Sequence, residues 1–216
     1  YGATYNPSKN SLKLPQLVAL KATAETKLND VISKNTLYNN KVNERMIAFG
    51  NLKSLSTRIV NALQTTDATD ETIDDAKGFN RKLQGKKAST TQTPTDPNAP
   101  APSTISTSQQ SYDQLIQHFS GLKSVLEAEP TYTPNETELQ VATLNAKIAD
   151  LNTKNTAVAT AYTNISNSRI SRNETLYTNE DGIVKTASEV KKYVKSVFGA
   201  SSPQYNQVSG IKFKKA

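Results

Sequence analysis

The sequence predicts an all-α fold: an elongated, antiparallel helical bundle with coiled-coil-like seams, made of two diverged copies of one helical unit. Three observations predict it. Along two long stretches apolar residues recur at alternating spacings of three and four, the period of one helix face packed into a seam. No alternating apolar–polar run of useful length marks a strand. The two stretches also match each other in order, at a nearly constant offset.

Each copy opens on a similar segment. Tyr5-Asn6-Pro7-Ser8-Lys9-Asn10-Ser11-Leu12 matches Tyr132-Thr133-Pro134-Asn135-Glu136-Thr137-Glu138-Leu139 at an offset of 127. The same offset places Leu17 on Leu144, Val31 on Val158 and Arg45 on Arg172. Farther on, an offset of 131 places Ile59 on Val190 and Leu63 on Val194, and one of 132 places Gly78 on Gly210. The copies run roughly over 5–87 and 132–215. The chain therefore divides into a helical repeat over 1–87, a Pro/Thr-rich linker over 88–104, and a helical hairpin plus second repeat over 105–216.

The elements follow in order. Leu14, Leu17, Ala24, Leu28, Val31, Asn35, Tyr38, Val42 and Arg45 predict a helix over about 12–47. At ~1.5 Å per residue it would be roughly 50 Å long, and it must be packed along its length to persist. Phe49, Leu52, Ile59 and Leu63 continue the stripe, and Asp70 to Leu83 reads as a short amphipathic helix. Residues 88–104 hold four prolines and no large apolar side chain, the composition of an exposed linker. Tyr112, Leu115, Phe119, Leu122 and Leu126 mark a helix at about 106–128. Pro130 and Pro134 then bound a turn, which sets that helix antiparallel to one starting at 135. Asn135 is the expected N-cap there, with Glu138 reaching back as in a capping box. Val141, Leu144, Ile148, Leu151, Asn155, Val158, Tyr162, Ile165, Arg169, Arg172 and Leu176 carry the second stripe. After the loop signal Asn179-Glu180-Asp181-Gly182, Ile183, Val190, Val194 and Val197 predict a helix ending at Gly199.

Composition excludes several chemistries. The 216 residues include no Cys, no Trp, one His and one Met, so disulfides, thiolate nucleophiles and Cys-ligated metals are impossible. No run approaches the ~18–20 apolar residues of a membrane span. The start at Tyr1 rather than Met suggests trimming of the chain, and a cytoplasmic setting is slightly favoured. No phosphate-binding glycine loop, HExxH or GxSxG motif is present. The expectation is a non-enzymatic chain without cofactor or metal.

The remaining candidates are few. Asp67, Asp70, Glu71, Asp74 and Asp75 form an acidic cluster, read as carboxylates favoured by the positive end of a helix dipole rather than as a metal site. His118 adjoins an apolar stripe and reads as a packing residue. Arg45, Arg169 and Arg172 lie on the seam, where a guanidinium needs a partner: a carboxylate, a free carbonyl at a neighbouring helix end, or a bound anion. The charge, +7 in all, is uneven. Residues 183–216 carry 7 Lys against Glu189 alone. Lys191, Lys192, Lys195, Lys212, Lys214 and Lys215 could form a basic surface for an anionic polymer, although no nucleic-acid-binding motif accompanies them.

Glu174-Thr175-Leu176-Tyr177, followed by the run from Val190-Lys191-Lys192-Tyr193 through Gly199-Ala200-Ser201-Ser202-Pro203-Gln204-Tyr205 to Ile211-Lys212-Phe213, resembles the C-terminal region of uncharacterised bacterial all-helical proteins. The resemblance implies a bacterial source and transfers no activity. The expected function is a structural or protein-interaction module, whose partner is another protein or a second copy. The alternative is a binder of an anionic polymer or ligand through the Lys-rich segments, with nucleic acid possible but less favoured.

Overall fold

The computed structural model describes residues 1–85, 109–178 and 180–213. Among these the fold is all-α, with no strand. The long helix α1 spans Leu14–Phe49, α2 Leu52–Leu63, α3 Asp70–Gln84, α4 Tyr112–Glu127 and α5 Val141–Asn173. A π-helical turn, Glu174–Thr178, closes α5, and α6 (Ile183–Phe198) and α7 (Pro203–Ser209) follow. The expected linker over 88–104 lies outside the described residues.

Local chemistry sets most boundaries. At Gly50 and Asn51 the chain leaves α1 and starts α2. Thr69 caps α3, its hydroxyl accepting from the Thr72 N–H, and Asp70 and Glu71 occupy the first turn where the dipole favours them. Gly85 ends α3 in the left-handed conformation, φ 76°, which a side chain rarely adopts. Ser111 caps α4, and Ser202 caps α7 with Pro203 in the first turn.

A 3-10 turn stands immediately before each long helix, Asn10–Leu12 before α1 and Thr137–Leu139 before α5, and another, Gly2–Thr4, opens the chain. The capping box expected at Asn135 does not form. The chain stays extended at Glu136, the turn at 137–139 intervenes, and Glu138 pairs with Arg58 at 2.6 Å instead.

The chain forms two compact units. Unit 1 draws on Tyr1–Asn40 and Thr160–Ala216, unit 2 on Lys41–Ala159. This grouping cuts across the segments 1–87 and 105–216. In unit 1 the first part of α1 runs beside the last part of α5: the buried Ser168 hydroxyl donates to Asp30 at 2.6 Å, and the Tyr38 and Tyr162 rings lie 6.0 Å apart. In unit 2 the end of α1 meets the start of α5. Lys147 donates to the Ala48 carbonyl at 2.7 Å, and Lys154 reaches Glu44 at 3.2 Å. The core of unit 2 includes Leu52, Ile59 and Leu63 of α2, Ala76 and Leu83 of α3, Phe119, Leu122 and Leu126 of α4, and Leu144 and Leu151 of α5.

The matched opening segments take matched roles in the two units. The Tyr5 hydroxyl donates to the Leu12 carbonyl at 2.8 Å, and the Tyr132 hydroxyl donates to the Leu139 carbonyl at 2.9 Å. The turn before α1 packs on α6, and the turn before α5 packs on α2. The ion pairs at the two seats have opposite polarity: Lys9 on the turn side meets Glu189 of α6 at 2.6 Å and Asp181 at 4.0 Å, whereas Glu138 meets Arg58 of α2. Arg58 and Glu189 are counterparts at the offset of 131. Lys9 aligns with Glu136, whose charge also acts on Arg58, so each turn presents to its helix the charge opposite to the one found there. Exposed pairs stabilise by only about 0–1 kcal/mol, so they choose between seats more than they stabilise either.

Burial pushes the Tyr132 hydroxyl up to about 12, with the Glu136 carboxylate adding to it. The hydroxyl therefore stays protonated as a donor. Tyr132→Phe is expected to cost about 1–3 kcal/mol, because the buried Leu139 carbonyl loses its donor. Tyr5 is only half-buried, so Tyr5→Phe should cost less, about 0.5–1.5 kcal/mol. Urea unfolding of the two variants checks this, and equal losses would contradict the difference in burial.

Candidate interaction groove

Among the described residues, unit 1 has an apolar concavity bounded by residues of α1, α6 and α7. Leu17, Leu20 and Lys21 of α1 form one side, and Ile183, Thr186, Ala187, Val190 and Lys191 of α6 form the floor. Val208 of α7, with Ile211 and Phe213 beyond it, forms the other wall. The volume is ≈ 270 Å³.

The walls follow from the helix pattern. Ile183, Ala187, Val190 and Lys191 recur at helical spacing on one face of α6, while Val194 one turn on is fully buried. Ser202 and Pro203 start α7, and Tyr205 of α7 lies 5.7 Å from the Lys195 amine. Lys191 donates to the Ser209 carbonyl at 3.2 Å and also to the Ile211 carbonyl, which holds the segment after α7 against α6. Ile211 stays 50% and Phe213 39% exposed on that wall.

The predicted basic surface is thus partly spent inside unit 1. Lys191 is half-buried and bonded to carbonyls, and Lys195 faces a ring; Lys192 and Lys212 are exposed. Lys214 and Lys215 lie outside the described residues. The seam arginines do not gather into one site. Arg45 belongs to unit 2, where it donates to the Asn155 side-chain oxygen at 2.9 Å and stacks 3.9 Å over the Tyr112 ring. Its Nε is buried without a partner. The expected carboxylate or carbonyl partner is therefore an amide and an aromatic face. Arg172, in unit 1, folds back on the neighbouring Asn173 at 2.8 Å. Position 28, the counterpart of Asn155, is Leu28, which offers no acceptor. Arg169 is exposed, and Ser168 takes the inward place beside it.

Asp70 and Glu71 serve the start of α3, and Asp74 pairs with Lys77 at 3.0 Å. Among the described residues no group of three or more His, Asp or Glu side chains is placed to hold a metal ion. No described helix is long and apolar enough to cross a membrane.

His118 is buried on α4 and its Nε2 has no partner. Burial, with a smaller contribution from the Lys82 charge, holds its pKa below the usual histidine value. The neutral imidazole is therefore the native form. Below about pH 6.5 the unfolded chain takes up a proton that the native state resists, so stability falls as pH drops toward the lowered native value. Melting at pH 7 and pH 5.5 should show a smaller acid loss in His118→Leu than in the parent; an equal loss would remove His118 from the account.

No protein-family model, no curated protein and no solved structure matches the chain.

Proposed function

We propose that the chain is a non-enzymatic protein-interaction module that receives another polypeptide in the groove of unit 1. The observation that carries this reading is an apolar concavity walled by α1, α6 and α7, with Ile211 and Phe213 left exposed on it. An apolar surface of this kind, rimmed by charge, is the usual mark of a contact site. The polyanion reading draws less support, because Lys191 and Lys195 already have partners within unit 1. The test compares two ligands on the full chain. An apolar fluorescent dye should bind and lose its enhancement in Val190→Asp, while retention on heparin should be weak and unchanged by that substitution. Strong salt-dependent retention, reduced by Lys192→Glu with Lys212→Glu, and no dye binding would overturn the reading in favour of a polyanion.

A further inference from the structure

We propose that the chain docks on a second copy of itself through the exposed side of α1, the two helices running antiparallel about a two-fold axis level with Thr23. The proposal goes beyond the groove and concerns a neighbouring face of unit 1.

Leu14, Val18, Lys21, Glu25, Leu28 and Ile32 follow one another at alternating spacings of four and three, the period of a coiled-coil seam. All six are exposed. Leu14 is 66%, Val18 60%, Leu28 42% and Ile32 65% accessible, and the side chains of Lys21 and Glu25 are 74% and 58% accessible. Large apolar side chains lined up in water mark a surface that meets a partner. The stripe is no remnant of the pattern that α1 shares with α5. At the offset of 127, Val18, Leu28 and Ile32 stand where α5 has Asn145, Asn155 and Ala159. The apolar character of this face belongs to α1 alone, and the packing common to the two long helices does not require it.

The order of the six residues says what covers them. Read backwards about Thr23, the stripe returns apolar for apolar and opposite charge for charge. Leu14 falls against Ile32 of the second copy, Val18 against Leu28, and Lys21 against Glu25, each pairing occurring twice about the axis. A parallel pairing in register would set Lys21 against Lys21 and Glu25 against Glu25. The charges therefore fix both orientation and register, and they select this chain as its own partner. Within one chain Lys21 and Glu25 stand 3.5 Å apart, one turn from each other, and a second copy extends that pair to four alternating charges. At ~1.5 Å per residue the seam is roughly 27 Å long, short for a permanent interface, so the dimer is a reversible one.

The test is sedimentation of the full chain from micromolar to millimolar concentration. The expected result is a reversible monomer–dimer equilibrium. Lys21→Glu and Glu25→Lys should each weaken it about tenfold or more, because either change turns both attractions across the axis into repulsions. Both side chains are exposed, so neither change disturbs the fold. An equimolar mixture of the two variants should dimerise again, as should the chain carrying both changes, since each restores opposite charges across the axis. Binding of the apolar dye by Glu25→Lys tests the interaction-module reading separately, because Glu25 does not line the groove. A chain that stays monomeric throughout would overturn the proposal. So would a dimer indifferent to both single reversals, which is the behaviour of a parallel pair. A dimer lost in Val190→Asp but kept in Val18→Asp would place the second copy in the groove and overturn it as well.

Discussion

Phe119→Ala is expected to lower the stability of unit 2 by about 3–5 kcal/mol, the largest single effect among the substitutions considered. Phe119 is 0% exposed at the centre of α4, in a cluster that includes Leu52, Ile59 and Leu63 of α2, Ala76 and Leu83 of α3, and Leu144 of α5. Truncation removes the ring's transfer free energy and leaves a cavity that helices on three sides cannot collapse. Urea or thermal unfolding followed by circular dichroism measures the loss. A change below about 1 kcal/mol would mean that α4 is not seated in this core.

The second large effect is at Gly121. A Cβ there would lie 2.3 Å from Cε1 and 2.5 Å from Cζ of Phe79, far inside van der Waals contact. Gly121→Val should cost about 1–3 kcal/mol by overpacking. A helix-propensity gain opposes this, but it stays below the roughly 1 kcal/mol of a Gly→Ala change because Val is β-branched. Gly121→Val combined with Phe79→Ala should be less destabilised than the sum of the two single variants, since the space vacated by the ring receives the new side chain. Strict additivity in that double-mutant cycle would contradict direct contact between α3 and α4 at this point.

Much of the fold is legible in the residues because helix periods and caps are local. Thr69, with Asp70 and Glu71 after it, announces α3, and the loop at Gly182 with Gly199 beyond brackets α6. Helix α7 went unrecognised, although Ser202-Pro203 is an N-cap followed by the proline that suits a first turn. Seven residues are too few to show a period. The expected capping box at Asn135 and Glu138 failed for a different reason. Arg58, distant in sequence, takes the Glu138 carboxylate, and a local pattern contains no information about such a competitor.

The seam illustrates the same limit. A stripe repeating every 3.5 residues drifts by about 20° per heptad on an ordinary helix. Helix α1 meets α5 at Asp30 and Tyr38 in unit 1 and at Glu44 and Ala48 in unit 2, yet not every stripe position is covered. Ala24 is buried on it while Leu28, one step on, is 42% exposed. Arg45 and Arg172 are matched in sequence yet have different partners, because the ring over Arg45 belongs to α4 and unit 1 offers no such helix among the described residues. The groove escaped sequence reading for that reason too. Ile183, Val190 and Val208 look like ordinary core positions, and only the packed structure tells which of them remain uncovered.

Nuclear magnetic resonance titration of the isotopically labelled full chain with the apolar dye tests the central claim most directly. The account predicts amide shifts concentrated at Leu17, Lys21, Ala187, Val190, Val208 and Ile211, with Phe79, Leu83 and Gly121 unmoved. Shifts concentrated at Phe79, Leu83 and Gly121 in unit 2 would contradict it.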